Sequence, residues 1–178
     1  MPMGPIHDAA YEGDVAEMEQ LLNSGVDIAE KGDNQWTVLH YAAQKGHVEA
    51  CELIFNRGGQ KLLPLKDEWG CTCLLWACKE GHLDVVKFLF SKDGKWLAPV
   101  ADNEGNSCLH LAAYFGKTDV INFLLNNGGV KNIFATNKAG QTALKRAQEG
   151  NEPEAAALLE KAEVDQEWAP FRSQEPKA

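Results

Sequence analysis

A chain of 178 residues with 44% hydrophobic content holds the apolar material for one folded domain or one short solenoid, which excludes global disorder. Its formal net charge of −9 disfavours a phosphate backbone or an anionic membrane surface, and lysine and arginine never gather into a basic stripe, so nucleic acid is not an expected partner. No run of about 18 apolar residues is present, so no membrane insertion is expected.

In chain order, the start Met1-Pro-Met-Gly-Pro-Ile-His7 has neither a basic cluster nor an apolar stretch, and no signal peptide is expected. A degenerate segment, Ile6-His-Asp-Ala-Ala10, comes next. It foreshadows four copies of Thr/Ser-x-Leu-x-x-Ala spaced by 35 residues: Thr37–Ala42, Thr72–Ala77, Ser107–Ala112 and Thr142–Ala147. Self-similarity at a fixed period of this length marks a stacked array, each unit being one supersecondary element. Polar turns with glycine precede three of the copies: Asp67-Glu-Trp-Gly70, Asp102-Asn-Glu-Gly105 and Asn137-Lys-Ala-Gly140. The Thr or Ser is a natural N-cap, because its oxygen can accept from a free backbone N–H of the first turn. A short helix from each is expected to end near Gly46, Gly81 or Gly116, with Gly46 and Gly81 forming tight turns into His47 and His82.

Second helices are expected over Val48–Phe55, Leu83–Phe90 and Thr118–Leu125. Their apolar columns are Ala50/Val85/Val120, Cys51/Val86/Ile121, Leu53/Phe88/Phe123, Ile54/Leu89/Leu124 and Phe55/Phe90/Leu125. Spacing of three and four places these on one wide face that must bury against neighbouring units. Polar residues Glu49/Asp84/Asp119 and Glu52/Lys87/Asn122 fall between them. The end units read as caps: Gln20 replaces the apolar residue held by Leu53, Phe88 and Phe123, and Pro153 suits the first turn of a final helix, Glu154–Lys161. Residues 164–178 fit no repeat and are expected to be a flexible tail, or to dock on the last cap; Glu167-Trp-Ala-Pro-Phe-Arg172 within it reads equally as a short linear motif or as a segment packing back.

These units resemble ankyrin repeats, whose pattern is Asp-x-x-Gly-x-Thr-Pro-Leu-His-x-Ala-Ala-x-x-Gly-His followed by an apolar helix. The resemblance covers roughly residues 5–162 and implies an all-α solenoid of helix-turn-helix units joined by hairpin-like loops. The expected domain is 1–163, with units at about 5–31, 32–66, 67–101, 102–136 and 137–163. Several positions depart from the pattern. The proline is replaced by Val38, Cys73, Cys108 and Ala143; the histidine is kept as His40 and His110 but is Leu75 and Lys145 elsewhere. In the second unit Gln35 holds the turn glycine position and Gly32 the turn aspartate position. The loops beginning near Gly58, Asp93 and Gly128 are two residues longer than a 33-residue period implies. Lys95-Trp-Leu97 is expected to fold over the convex side in a structural role.

Chemistry-bearing residues are few. Cys71, Cys73, Cys78 and His82 invite a zinc reading, but the spacing misses Cys-x2-Cys pairs. Cys51, Cys73, Cys78 and Cys108 moreover align with apolar or alanine positions of other units, where free cysteine packs as a small hydrophobe. Five cysteines, an odd number and four of them so placed, suit free thiols in a reducing compartment, so the cytoplasm, with the nucleus also open, is the expected location. His40 and His110 lack an accompanying nucleophile and acid, and the resemblance implies that they brace the hairpins through hydrogen bonds. Nucleotide-binding and hydrolase motifs are absent. No cofactor, metal or catalytic residue is therefore expected.

The sharper signal is aromatic. The resemblance implies that hairpin tips and the exposed side of the first helices form a concave, partner-binding surface. The residues expected there are Tyr11, Asp33, Asn34, Trp36, Lys45, Glu68, Trp69, Lys79, Glu80, Asn103, Glu104, Asn106, Tyr114 and Phe115, with Cys71 alongside. Trp36 and Trp69 are read as binding residues in preference to packing across adjacent hairpins, because a row of exposed aromatics needs a cover. Tyr41 and Trp76 align with Leu111 and are read first as core. The function expected is non-enzymatic binding of a protein partner by a monomer, as adaptor, regulator or assembly factor. The alternatives are a self-associating scaffold and, behind it, an enzyme or zinc protein.

Overall fold

Each repeated Thr or Ser does begin a helix, and each helix pairs with the next. In a computed structural model, which describes residues 4–92, 94–127 and 133–172 and the side chains of all these but 94, 95 and 166–172, the helices form five antiparallel pairs. They are α1 (Pro5–Glu12) with α2 (Val15–Asn23), α3 (Val38–Lys45) with α4 (Val48–Asn56), and α5 (Cys73–Glu80) with α6 (Leu83–Ser91). Then come α7 (Cys108–Tyr114) with α8 (Thr118–Asn126) and α9 (Ala143–Glu149) with α10 (Pro153–Arg172). No strand occurs among the described residues, only an isolated bridge between Lys31 and Thr37.

The pairs stack in two layers. α1, α3, α5, α7 and α9 pack in succession to form one layer; α2, α4, α6, α8 and α10 form the other. Three of the second-helix columns are sealed completely: Ala50/Val85/Val120, Cys51/Val86/Ile121 and Ile54/Leu89/Leu124. The two flanking columns are partly open and interlock edge-to-face through Phe55–Phe88 at 5.3 Å and Phe90–Phe123 at 5.1 Å.

Local chemistry sets the ends of the helices. Thr72 and Thr142 hydroxyls accept from the N–H of Leu75 and Lys145. Thr37 and Ser107 instead form reciprocal caps with His40 and His110. At the turn after α3, Gly46 has φ +80°, and a Cβ there would lie 2.5 Å from the Nδ1 atom of His82. The His82 ring occupies that space because its Nε2 reaches back to the carbonyl oxygen of Gln44, 2.8 Å away. His47 does the same one unit earlier, 3.0 Å from Tyr11 O.

The longer loops are used for packing. Short 3-10 turns at Gly59–Leu62 and Gly94–Leu97 fold Leu62, Leu63, Leu97 and Ala98 into the core, and Ile133 is buried in the next unit. The third such loop, 128–132, lies outside the described residues. Leu97 thus has the structural role expected of its segment, while Trp96 beside it is exposed.

Three hairpins share one design. The side-chain oxygens of Asp67, Asp102 and Asn137 each accept two backbone N–H groups across the turn, as in Trp69 N and Cys71 N to Asp67 Oδ1 at 3.0 and 2.8 Å. Successive tips are then joined: Glu68 N donates to Asn34 O, Asn103 N to Trp69 O, and Lys138 N to Glu104 O, at 2.9–3.0 Å. The second unit is the exception. Gly32 cannot supply the acceptor, and Gln35 adopts φ +64° where Gly70, Gly105 and Gly140 stand in the other units. A left-handed conformation costs a non-glycine residue about 1 kcal/mol. Gln35→Gly is therefore expected to stabilise the fold by about 0.5–1 kcal/mol, read as a higher urea midpoint at unchanged slope.

The caps differ in how closely they follow expectation. Gln20 is exposed, as a terminal outer face requires. At the other end, the helix expected over Glu154–Lys161 runs on to Arg172, so residues 164–172 of the expected tail are helical. Residues 173–178, and the side chains of Trp168 and Phe171, lie outside the described set.

Candidate protein-binding groove

The face made by the hairpin tips and the first-helix layer carries the expected site residues, but not all as expected. Trp36 is only 6% exposed. Its indole packs against Trp76 and Tyr41, with ring centroids 4.8 and 4.9 Å apart, and meets Trp69 edge-on at 6.3 Å. The reading of Trp36 as a partner contact is corrected: adjacent units cover it, and packing across hairpins is its role. Its buried Nε1–H finds no acceptor among the described residues. Trp76, by contrast, donates its Nε1–H to Asp67 Oδ2 at 2.7 Å.

Asn106 is also buried, at 2% exposure. Its side-chain amide donates to Asp102 and accepts from Asn137 Nδ2 at 2.8 Å, tying two hairpins together. A side chain so engaged is a brace, and its reading as a partner contact is corrected too. Cys71 is likewise buried, though it borders the groove described below.

Most of the remaining residues fall into three clusters. Trp69, 48% exposed, and Phe115, 38% exposed, flank a groove of about 500 Å³ between the third and fourth units. Trp76 and Leu111 form its apolar lining, Asn103 and Glu104 its hairpin side, and Lys79 and Arg146 its cationic side. The Lys79 ammonium sits 4.3 Å from the Trp76 ring centroid and 5.3 Å from that of Phe115. Glu68 is exposed at the neighbouring tip, where its carbonyl accepts from Asn103 Nδ2 at 2.9 Å. A second cluster places Lys45 4.1 Å over the Tyr11 ring; hydrogen bonding with Tyr11 raises the Lys45 pKa. Asp33 (half-buried), Asn34 and Glu80 lie elsewhere on the face. A third stacks the Arg146 guanidinium 4.1 Å from the half-buried Tyr114 ring, which meets Phe115 edge-on.

Sequence reasoning passed over Arg146 and gave Trp76 mainly a core role. Both stand in the register of Tyr41 and Leu111, a column that is mostly buried. An arginine in that column was the available signal.

The histidines are structural in geometry. Thr37 N–H can only donate, so His40 Nδ1, 3.2 Å away, carries a lone pair and the ring proton sits on Nε2, which donates to Cys71 O at 3.1 Å. His110 repeats this with Ser107 N and Gln141 O. Burial lowers both pKa values. The unfolded chain therefore takes up protons near pH 6.5 that the native state refuses, so stability falls as pH drops below about 6.5. Urea midpoints compared at pH 7.5 and 5.5 are expected to fall at the lower pH, and to fall less in His40→Leu, which carries the residue that Leu75 supplies naturally.

All five cysteines are buried and unpaired. Burial pushes the Cys51 and Cys71 thiols up to about 12, so neither is a thiolate nucleophile at neutral pH. Among the described residues no group of three or more His, Cys, Asp or Glu side chains is placed to hold a metal ion.

Two family models match the chain. One describes ankyrin repeats in three copies and spans residues 6–98; the other, ankyrin repeats in many copies, matches 74–125 and 109–160. The chain belongs to the ankyrin-repeat family. Its similar curated relatives include human ankyrin repeat domain-containing protein 40, 34% identical over 65 residues, which is 35% of this chain and 18% of that protein. The mitochondrial liver isoform of glutaminase from Rattus norvegicus is 38% identical over 63 residues, 35% of this chain and 10% of its own. The human NAD-capped RNA hydrolase NUDT12 is 36% identical over 53 residues, 29% of this chain and 12% of its own. The chain thus spans less than a fifth of each relative. The enzymes among them match it only in part, through their ankyrin regions. Ankyrin repeats are generally protein–protein interaction modules and generally non-enzymatic.

Proposed function

We propose that this chain binds a protein partner on its concave face without catalysing a reaction, serving as an adaptor, regulator or assembly factor. The observation that carries the reading is the exposure of Trp69 and Phe115 on two sides of one groove, at positions where the repeat backbone requires no aromatic. Large apolar side chains left in water around a concave site are the usual anchors of an interface. A monomer in the cytoplasm or nucleus is the state we propose, supported by five unpaired buried thiols that suit a reducing compartment.

The test pairs stability with affinity. Trp69→Ala/Phe115→Ala is expected to leave the melting temperature nearly unchanged, since exposed substitutions cost within about 0.5 kcal/mol. Affinity for the partner captured by the native chain should fall at least tenfold, the factor that about 1.4 kcal/mol represents. Full-strength capture by the double variant would defeat the reading. Self-association through the same face would appear instead as concentration-dependent light scattering that the double variant abolishes.

A further inference from the structure

We infer that the groove between the third and fourth units selects an extended peptide segment carrying an acidic side chain next to an aromatic or aliphatic one. This deepens the reading above and rests on it. In a chain whose net charge is −9, the groove lining balances two cations, Lys79 and Arg146, against two acids, Asp102 and Glu104. Of the two acids at the groove, Asp102 is consumed by its own hairpin: its carboxylate accepts from Glu104 N, Asn106 N and Asn106 Nδ2. Glu104, exposed at the tip, receives a long 3.4 Å hydrogen bond from the Asn106 side chain.

The two cations are differently placed. Lys79 makes no ion pair among the described residues, and its ammonium rests on the faces of Trp76 and Phe115. Arg146 meets Glu149 through Nη1 alone, at 3.3 Å, while its Nε–H is buried and lacks an acceptor. Lys79, with no carboxylate of its own, is the donor that a peptide carboxylate would meet first, with Arg146 at the same groove as the second; charge-assisted hydrogen bonds of this kind are the strong ones. The rings of Trp69, Trp76 and Phe115 beside these cations offer an apolar seat for the neighbouring residue. Cation and apolar seat lie within one groove, so the two features are read together from one segment. A basic segment would instead meet Lys79 and Arg146 directly and be repelled.

The test uses the intact chain and a fluorescein-labelled library of extended octapeptides. One central position holds Phe, Trp or Leu, and flanking positions vary among Glu, Gln and Lys. The tightest members are expected to carry Glu, and Glu→Gln in the peptide to weaken binding at least tenfold. Lys79→Gln and Arg146→Gln should each erase most of that Glu preference while leaving far-UV circular dichroism unchanged; Lys79→Arg and Arg146→Lys should keep it. Preference for Lys, a Glu preference that survives both charge-removing variants, or no binding by any Glu-bearing member would overturn the inference. Capture of the native partner through Trp69 and Phe115 in those same cases would leave the broader reading standing; its loss there would remove both.

Discussion

Trp36→Ala is expected to be the most damaging single substitution on the hairpin face, lowering stability by about 3 kcal/mol. Truncating a buried tryptophan ordinarily costs about 3–5 kcal/mol, through lost burial and the cavity left behind. The orphaned Nε1–H of Trp36 offsets about 1 kcal/mol of this, because its removal relieves an unpaired buried donor. What remains is the loss of ring contacts to Tyr41, Trp69 and Trp76, which join the second unit to the third. Trp69→Ala, one unit along and 48% exposed, should cost far less. Urea unfolding followed by far-UV circular dichroism, which does not depend on the indoles, compares the two. Equal midpoints would show that Trp36 is not the inter-unit packing residue described.

The second large effect concerns where in the stack a cavity is made. Leu74 and Leu159 are both fully buried, but Leu74 lies in α5 with units on either side, while Leu159 lies in the terminal α10. In an array whose stability is a sum of units and nearest-neighbour interfaces, loss at the centre weakens two interfaces and loss at the end weakens one. Leu74→Ala is expected to cost about 3–5 kcal/mol and to lower the whole transition. Leu159→Ala should cost less and release amide protection chiefly in α9 and α10, visible by hydrogen exchange. Global unfolding by the terminal change with tolerance of the central one would contradict the repeat architecture.

The parts of this fold that the backbone dictates were legible in the sequence. Thr37, Thr72, Ser107 and Thr142 mark helix starts because a hydroxyl can cap and the register repeats; the observed second helices exceed the expected ones by a single residue at Asn56, Ser91 and Asn126. What was not legible depends on neighbouring units. Trp36 shares its register with Cys71, Asn106 and Gln141, a column with no consistent polarity, so nothing in the pattern showed that Trp76 of the next unit would cover it. Asn106 reads as a polar tip residue until Asn137 from the following hairpin is placed against it. Arg146 falls in a mostly buried column, yet it lines the groove from the fifth unit as Trp76 does from the third. The final helix outran its expected end because the repeat template stops at the cap while the chain's helix does not.

Site-specific photo-crosslinking tests the central claim most directly. A benzophenone amino acid placed at position 69 or 115, on the groove, is expected to crosslink the captured partner. The same group at position 52 or 87, on the exposed face of α4 or α6, is expected to give none. Crosslinks from 52 and 87 with none from 69 and 115 would place the partner on the opposite layer and contradict the account.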